Sequence, residues 1–173
     1  SWLTETLINF GSLVKGYSLK DDKKKFYERF VHFNKARNSY GDVSNYKKLK
    51  YEIETFRPSI IFHLAAQPLV IDSYLNPYKT FQSNCSGLIN LLDIVHKSNF
   101  VKSLVIVTSD KCYKIEKKKI KSYKEDDHLG GYDPYSASKA AAEIITFPYE
   151  HILRSKGIGV ATARAGNVVG GGD

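Results

Sequence analysis

Tyr135 and Lys139, four residues apart, are the first pair in this sequence with both the types and the spacing for chemistry. On a helix that spacing puts them on one face. A phenol is a poor base on its own, and an ammonium beside it favours the phenolate. Such a pair can take a proton from a substrate hydroxyl as hydride leaves the same carbon. Tyr-x-x-x-Lys also occurs on many helices as a plain surface pair, so its setting matters. Here it lies in Asp133-Pro134-Tyr135-Ser136-Ala137-Ser138-Lys139-Ala140-Ala141-Ala142-Glu143. The proline suits a helix N-terminus, and the small residues after Lys139 allow close packing on a sheet or a cofactor. Upstream, Ser109-Asp110-Lys111 follows an apolar run, an adjacent acid and base that read as a solvated loop pair or as a second reacting group. His63 sits within an apolar run and reads as a satisfied core histidine. Arg164 could clamp a phosphate or pair with a local carboxylate.

Strands and helices alternate around these residues. Ser1 to Phe10 reads as an amphipathic helix stopped by Gly11, and Leu13 to Ser18 as a short strand. A charged loop, a strand at Ser39 to Val43 and a helix from Asn45 to Phe56 follow, the helix closed by Arg57-Pro58. Ser59 to Ala65 is apolar throughout, as in a strand covered on both faces. A long helix from Pro77 to Ser98 leads to a buried strand at Ser103 to Thr108. The Tyr135 helix runs from Pro134 to Lys156, with Pro148 expected to kink or break it, and Gly159 to Arg164 is the last strand. This order predicts an α/β fold, a doubly wound parallel sheet with right-handed crossovers. Ligands bind such sheets beyond the carboxyl ends of the strands. Leu64 to Gln67, Thr108 to Tyr113 and Arg164 to Gly172 all fall there.

Composition narrows the class. The chain has 173 residues, 42% of them hydrophobic and 25% charged, as in one ordinary globular domain. No apolar run reaches the ~18 residues of a membrane span, and no signal-peptide pattern opens the chain, so cytoplasm is the default expectation. The net charge of +8 sits mainly in Lys20 to Arg29 and Lys114 to Lys124. Neither run interleaves aromatics with bases as a nucleic-acid module does, so both read as solvated surface. A basic face still suits an anionic substrate such as a nucleotide. Cys85 and Cys112 have no metal-ligand spacing and read as buried thiols, with no metal expected.

Several segments together resemble a known family. They are Gly41-Asp42-Val43, His63-Leu64-Ala65-Ala66-Gln67-Pro68-Leu69-Val70, Ser83-Asn84 and Thr108-Ser109-Asp110-Lys111-Cys112-Tyr113. Leu129-Gly130-Gly131-Tyr132-Asp133-Pro134-Tyr135-Ser136 and Ala163-Arg164-Ala165-Gly166-Asn167-Val168-Val169-Gly170-Gly171-Gly172-Asp173 are more specific still. In this order they resemble the extended short-chain dehydrogenase/reductases, and within them the nucleotide-sugar 4,6-dehydratases of the CDP-glucose branch.

The resemblance implies a Rossmann-like domain holding NAD. Asp42 and Val43 would contact the adenine, and Leu64, Ala65, Ala66, Gln67 and Ser83 would line the cofactor beside Tyr135 and Lys139. It also implies a catalytic set of Ser109, Asp110, Lys111, Tyr135 and Lys139. Tyr135 would deprotonate the sugar 4-hydroxyl during oxidation, with Ser109 bonded to the 4-oxygen. Asp110 and Lys111 would serve as acid and base for loss of water across C5 and C6. Lysine at 111, where the dTDP-glucose enzymes carry glutamate, points to the CDP-sugar branch. Arg164 and Asn167 would contact the nucleotide-sugar substrate, near the turn of the closing glycine run.

Parts of the family pattern are missing. The glycine-rich pyrophosphate turn, the first strand and the C-terminal substrate lobe are absent, so the domain reads as truncated at both ends. Such a piece is expected to bind cofactor poorly and not to turn over alone. The parent is expected to be a homodimer or higher homo-oligomer through the helices at 77–98 and 134–156. Competing readings are a 4-epimerase or decarboxylase of the same family, which has no elimination for Asp110-Lys111 to perform, and a non-catalytic dinucleotide-binding fragment.

Overall fold

The computed structural model describes residues 2–20, 35–115 and 122–170. Most of the Lys20 to Arg29 run and residues 116–121 of the second lysine-rich run lie outside the described residues. The chain divides into two compact units, Ser1–Asp42 with Val169–Asp173, and Val43–Val168.

In the first unit, helix α1 (Trp2–Asn9) is followed by strands β1 (Lys15–Ser18) and β2 (Arg37–Tyr40), which pair in parallel from Lys15↔Arg37 to Ser18↔Tyr40. Gly11 lies at φ +80°, the left-handed position that ends a helix at lowest cost, and its N–H bonds to Ile8 O. The second strand begins two residues before the expected Ser39. The Gly41 N–H already bonds to Ser18 O, which closes the ladder before Val43.

The second unit carries the chemistry-bearing residues. Strands β3 (Ile60–His63), β4 (Ser103–Val107) and β5 (Gly159–Ala163) form a parallel ladder in that order, so equivalent ends of all three lie side by side. The described strands therefore form two parallel ladders rather than one continuous sheet. Helix α2 (Tyr46–Phe56) buries Leu49 and Ile53, one turn apart. Its start is capped by Asn45 Oδ1, which accepts from Lys48 N at 3.1 Å, and Arg57 ends it in the left-handed region just before Pro58.

The expected helix from Pro77 to Ser98 is instead α4 (Pro77–Phe81), a π-helical turn (Gln82–Ser86) and α5 (Gly87–Lys97). A short helix not foreseen, α3 (Val70–Leu75), precedes them, and Asn76 separates it from α4 by capping Lys79 N at 3.0 Å. Helix α5 buries Leu88, Leu91, Leu92, Ile94 and Val95, which with Leu104 and Ile106 of β4 make the core.

Helix α6 (Pro134–Arg154) follows β4 and packs on β5 and on the 3₁₀ turn Asp110–Cys112. It runs through Pro148 without interruption. Ile144, the residue whose carbonyl Pro148 cannot bond, is 62% exposed, so water can satisfy the freed group. Two burial expectations also need correction. β3 is covered only in part, because it is an edge of the ladder, with Ile60 53% exposed. Cys85 is half-buried while Cys112 is fully buried, and both are free thiols.

Candidate active site

The carboxyl ends of β3, β4 and β5 supply three adjacent segments: 64–67, 108–113 and 164–167. Hydrogen bonds from Thr108 N to Ala163 O and from Asp110 N to Ala165 O, both 2.9 Å, continue the β4–β5 pairing past the strand ends. They carry Asp110 into the candidate site. Ser109 Oγ donates to Asp110 Oδ1 at 3.0 Å and accepts from Lys111 N at 3.2 Å, so one buried hydroxyl organises the turn. The Asp110 and Lys111 side chains are exposed.

Tyr135 and Lys139 share a face of α6 as their spacing predicts, with Lys139 Nζ 5.9 Å from the Tyr135 ring centroid. Asp133 caps the helix twice, accepting from Ser136 N at 2.9 Å and Ser136 Oγ at 2.6 Å. Lys139 is buried, and its Nζ donates to Val107 O at 3.2 Å, which ties α6 to the end of β4. Burial pulls the Lys139 pKa down. Burial likewise lowers the His63 pKa to about 4, with the Lys139 charge adding to the effect. His63 is a buried neutral group, as the sequence suggests.

Within the Ser83-Asn84 segment, it is Asn84 that ties the loop after β3 to α6. Ser83 is half-buried in the π-helical turn, whereas Asn84 is buried and bonded on both sides. Asn84 Oδ1 accepts from Gln67 N at 2.7 Å, and its Nδ2 donates to Gln67 O at 3.2 Å and to Ser138 Oγ at 2.8 Å. Ser138 Oγ in turn donates to Tyr135 O at 2.7 Å. The wide turn thus connects the loop after β3 to the backbone of the Tyr135 helix. Single π turns inside α-helices recur at functional sites. Leu64, Ala65 and Ala66 lead into this anchored Gln67, and Leu64 is 57% exposed.

Asp42 and Val43 stand at the boundary between the two units. Asp42 O accepts from Tyr17 Oη at 3.1 Å within the first unit. Val43 is buried in the second, where Asn90 Nδ2 donates to its carbonyl at 3.1 Å. Asn167 is exposed just beyond β5.

Arg164 makes the local pairing rather than standing free. Its Nη2 lies 3.0 Å from Glu143 Oε2, and its Nη1 donates to Tyr113 Oη at 3.0 Å and Glu125 O at 2.8 Å. Glu143 also accepts from the Thr108 hydroxyl, and from Thr162 Oγ1 at 2.9 Å. Burial pushes the Glu143 pKa up, but hydrogen bonds from Arg164, Thr108 and Thr162 reverse this and hold it below the usual carboxylate value. Neither Glu143 nor Tyr113 stood out in the sequence. The available signal was Glu143's place one turn after Lys139 on the same face.

The sequence model of the GDP-mannose 4,6 dehydratase family matches residues 1–170, and the chain belongs to that family. It is 39% identical to the CDP-glucose 4,6-dehydratase of Salmonella typhimurium over 100% of this chain and 50% of that protein. The UDP-glucose 4-epimerase of Thermotoga maritima, solved with UDP-glucose, shares the fold at a TM-score of 0.80 and 21% identity, over 94% of this chain and 50% of that one. The UDP-glucose 4-epimerase of Brucella ovis, solved with NAD, matches at a TM-score of 0.77 and 20% identity, over 93% of this chain and 46% of that one. The chain spans about half the length of the curated relatives it matches.

Proposed function

We propose that the parent protein is a nucleotide-sugar 4,6-dehydratase that converts CDP-glucose to its 4-keto-6-deoxy product. The observation that carries the reading is the packing of the Tyr135–Lys139 helix on the Asp110–Cys112 turn at the end of β4. A redox pair and an adjacent acid and base then face one strand end. An oxidation that makes a ketone at C4 acidifies the C5 hydrogen, and the second pair can use that acidity.

In this reading Tyr135 takes the proton of the sugar 4-hydroxyl, and the Lys139 ammonium stabilises the phenolate. Ser109 would donate to the 4-oxygen by turning its single O–H away from Asp110 Oδ1. Lys111 would serve as the base that removes the C5 proton, and Asp110 as the acid that gives a proton to the C6 hydroxyl as its bond to carbon breaks and water leaves. A proton returns to C5 when the double bond is reduced, and Tyr135 keeps the 4-oxygen as a ketone. Bound beside Tyr135 and Lys139, NAD would supply the hydride acceptor for C4 and the hydride donor for C6, which closes the redox balance within one turnover.

The donor set fits that cofactor. Among the described residues Lys139 Nζ spends one donor, on Val107 O, and an ammonium has three. The small residues Ala65 and Ala66 would allow close approach beside Leu64, Gln67 and Ser83, with Val43 toward the adenine. Asn167, exposed just beyond β5, would face the nucleotide-sugar end, whereas the Arg164 guanidinium is taken up by Glu143, Tyr113 and Glu125. The NAD in the Brucella ovis epimerase supports the same assignment.

This chain would supply a partial dinucleotide-binding domain, the first strand and glycine-rich turn lying in the parent together with a C-terminal substrate lobe.

The parent would be a homo-oligomer, at least a dimer, through α4, α5 and α6. These helices expose Tyr78, Phe81, Ile144 and Phe147. The compartment would be the cytoplasm, where the free thiols of Cys85 and Cys112 persist. No helix among the described residues is long and apolar enough to cross a membrane.

The test is the full-length parent with CDP-glucose, read by the near-ultraviolet absorbance of a 4-keto sugar in alkali. Product is expected, and Lys111→Ala should lower kcat by about 100-fold or more, the scale of a positioned general base. No product from CDP-, dTDP- or GDP-glucose refutes the dehydratase. An epimerised sugar that has kept its C6 hydroxyl assigns the site to the epimerases instead.

A further inference from the structure

The reading above leaves a buried ion pair unused, Glu143 with Arg164, whose side chains are 5% and 17% exposed. Buried pairs are weak devices for stability, because desolvation offsets most of the attraction. What distinguishes this one is where its hydrogen bonds go. Glu143, on α6, accepts from Thr108 and from Thr162 of β5, and Arg164 donates to Tyr113 Oη and Glu125 O. Thr108 immediately precedes Ser109-Asp110-Lys111, and Tyr113 directly follows the 3₁₀ turn. The pair therefore grips that turn at both ends. The Arg164 guanidinium also lies 4.9 Å from the Tyr113 ring centroid, and that ring stacks on Tyr123 at 4.5 Å. The return segment reaches the same place, with Lys114 N bonded to His128 O and Gly130 N to Cys112 O, both at 2.8 Å.

Tyr135 is held by different groups: the Asp133 cap, the Asn84–Ser138 link and the Lys139–Val107 bond. The two halves of the site thus have separate anchors on one helix. We infer that Glu143, Arg164 and Tyr113 are positioning residues for the elimination half of the site, setting the Asp110–Lys111 turn against α6 without governing the Tyr135–Lys139 pair. The inference rests on the dehydratase reading, since it assigns the anchors to separate steps of that reaction.

The consequence is a selective loss. Tyr113→Phe removes one hydroxyl and keeps the ring. Arg164→Lys keeps a charge opposite Glu143 but cannot also span Tyr113 and Glu125. Glu143→Gln leaves Arg164 without its anion. In the full-length parent, with CDP-glucose deuterated at C4 or at C5, Tyr113→Phe and Arg164→Lys should lower kcat by about 10- to 100-fold, the scale of a misplaced reacting group. KM should stay within about 2-fold, as expected when uniform binding is untouched. The C5 isotope effect should rise relative to the C4 effect, because C–H cleavage at C5 becomes limiting while oxidation is spared.

Melting curves separate collapse from misplacement. If Glu143→Gln fails to fold, Tyr113→Phe and Arg164→Lys carry the decision. Unchanged kcat in both overturns the inference, and so does a fall in kcat with the two isotope effects in their parental ratio. A parent that forms no 4-keto product refutes the dehydratase reading itself, before any variant is compared.

Discussion

Replacing Asn84 with alanine tests whether one buried amide holds the loop after β3 to the Tyr135 helix. Asn84 is 3% exposed, and its side chain makes three hydrogen bonds, two to the Gln67 backbone and one to Ser138. Each contributes about 1 kcal/mol net, so their loss predicts destabilisation of about 3 kcal/mol. Ser138 keeps its bond to Tyr135 O and loses only an added donor. Neither Gln67 N nor Gln67 O has a second partner among the described hydrogen bonds, so both are left unpaired. For a domain of this size the loss corresponds to a fall in Tm of about 6–12 °C. Urea unfolding should show a lower midpoint at constant slope. Amide exchange should quicken at Gln67 more than at Leu92 in the core of α5. A loss under about 0.5 kcal/mol, within the range of an ordinary surface substitution, would refute the reasoning. Unchanged protection at Gln67 would do the same.

Gly131→Ala should be among the most disruptive single-methyl additions in the chain. A Cβ there would lie 1.9 Å from Ala137 N and 2.2 Å from Ser136 C, both backbone, so the first turn of α6 would have to move. Thermal melting should show a loss of about 3 kcal/mol, the upper range for overpacking. His63 supplies a pH signature. Its folded pKa of about 4 lies below the ordinary histidine value of 6.5, so the unfolded chain binds the extra proton between those values. Stability should rise with pH through that window and fall by about 3 kcal/mol as pH drops from 7 to 4. His63→Leu should flatten this slope in urea titrations at successive pH values, and an unaltered slope would assign it to the carboxylates instead.

Local order was legible in the sequence wherever it depends on residues within one turn of each other. Gly11 ends α1, Arg57 closes α2 before Pro58, and the i,i+4 spacing puts Tyr135 and Lys139 on one face. Parallel α/β organisation followed from the alternation of strands and helices. Pro148 does not break α6, because its cost depends on what surrounds the Ile144 carbonyl, and Ile144 is exposed.

What the tertiary structure alone decided is which distant group each polar side chain meets. Arg164 could have met a phosphate or a carboxylate as far as its own neighbours show. The pairing of β4 with β5, and the packing of α6 on β5, bring it to Glu143, 21 residues earlier. Asn84 reaches Gln67, 17 residues away, and Ser138, 54 residues away, from the π turn of an otherwise regular helix. Helical periodicity and caps are short-range and are written in adjacent residues. The partner of a buried charge or amide is chosen by which elements pack together, so it exists only once the chain has folded.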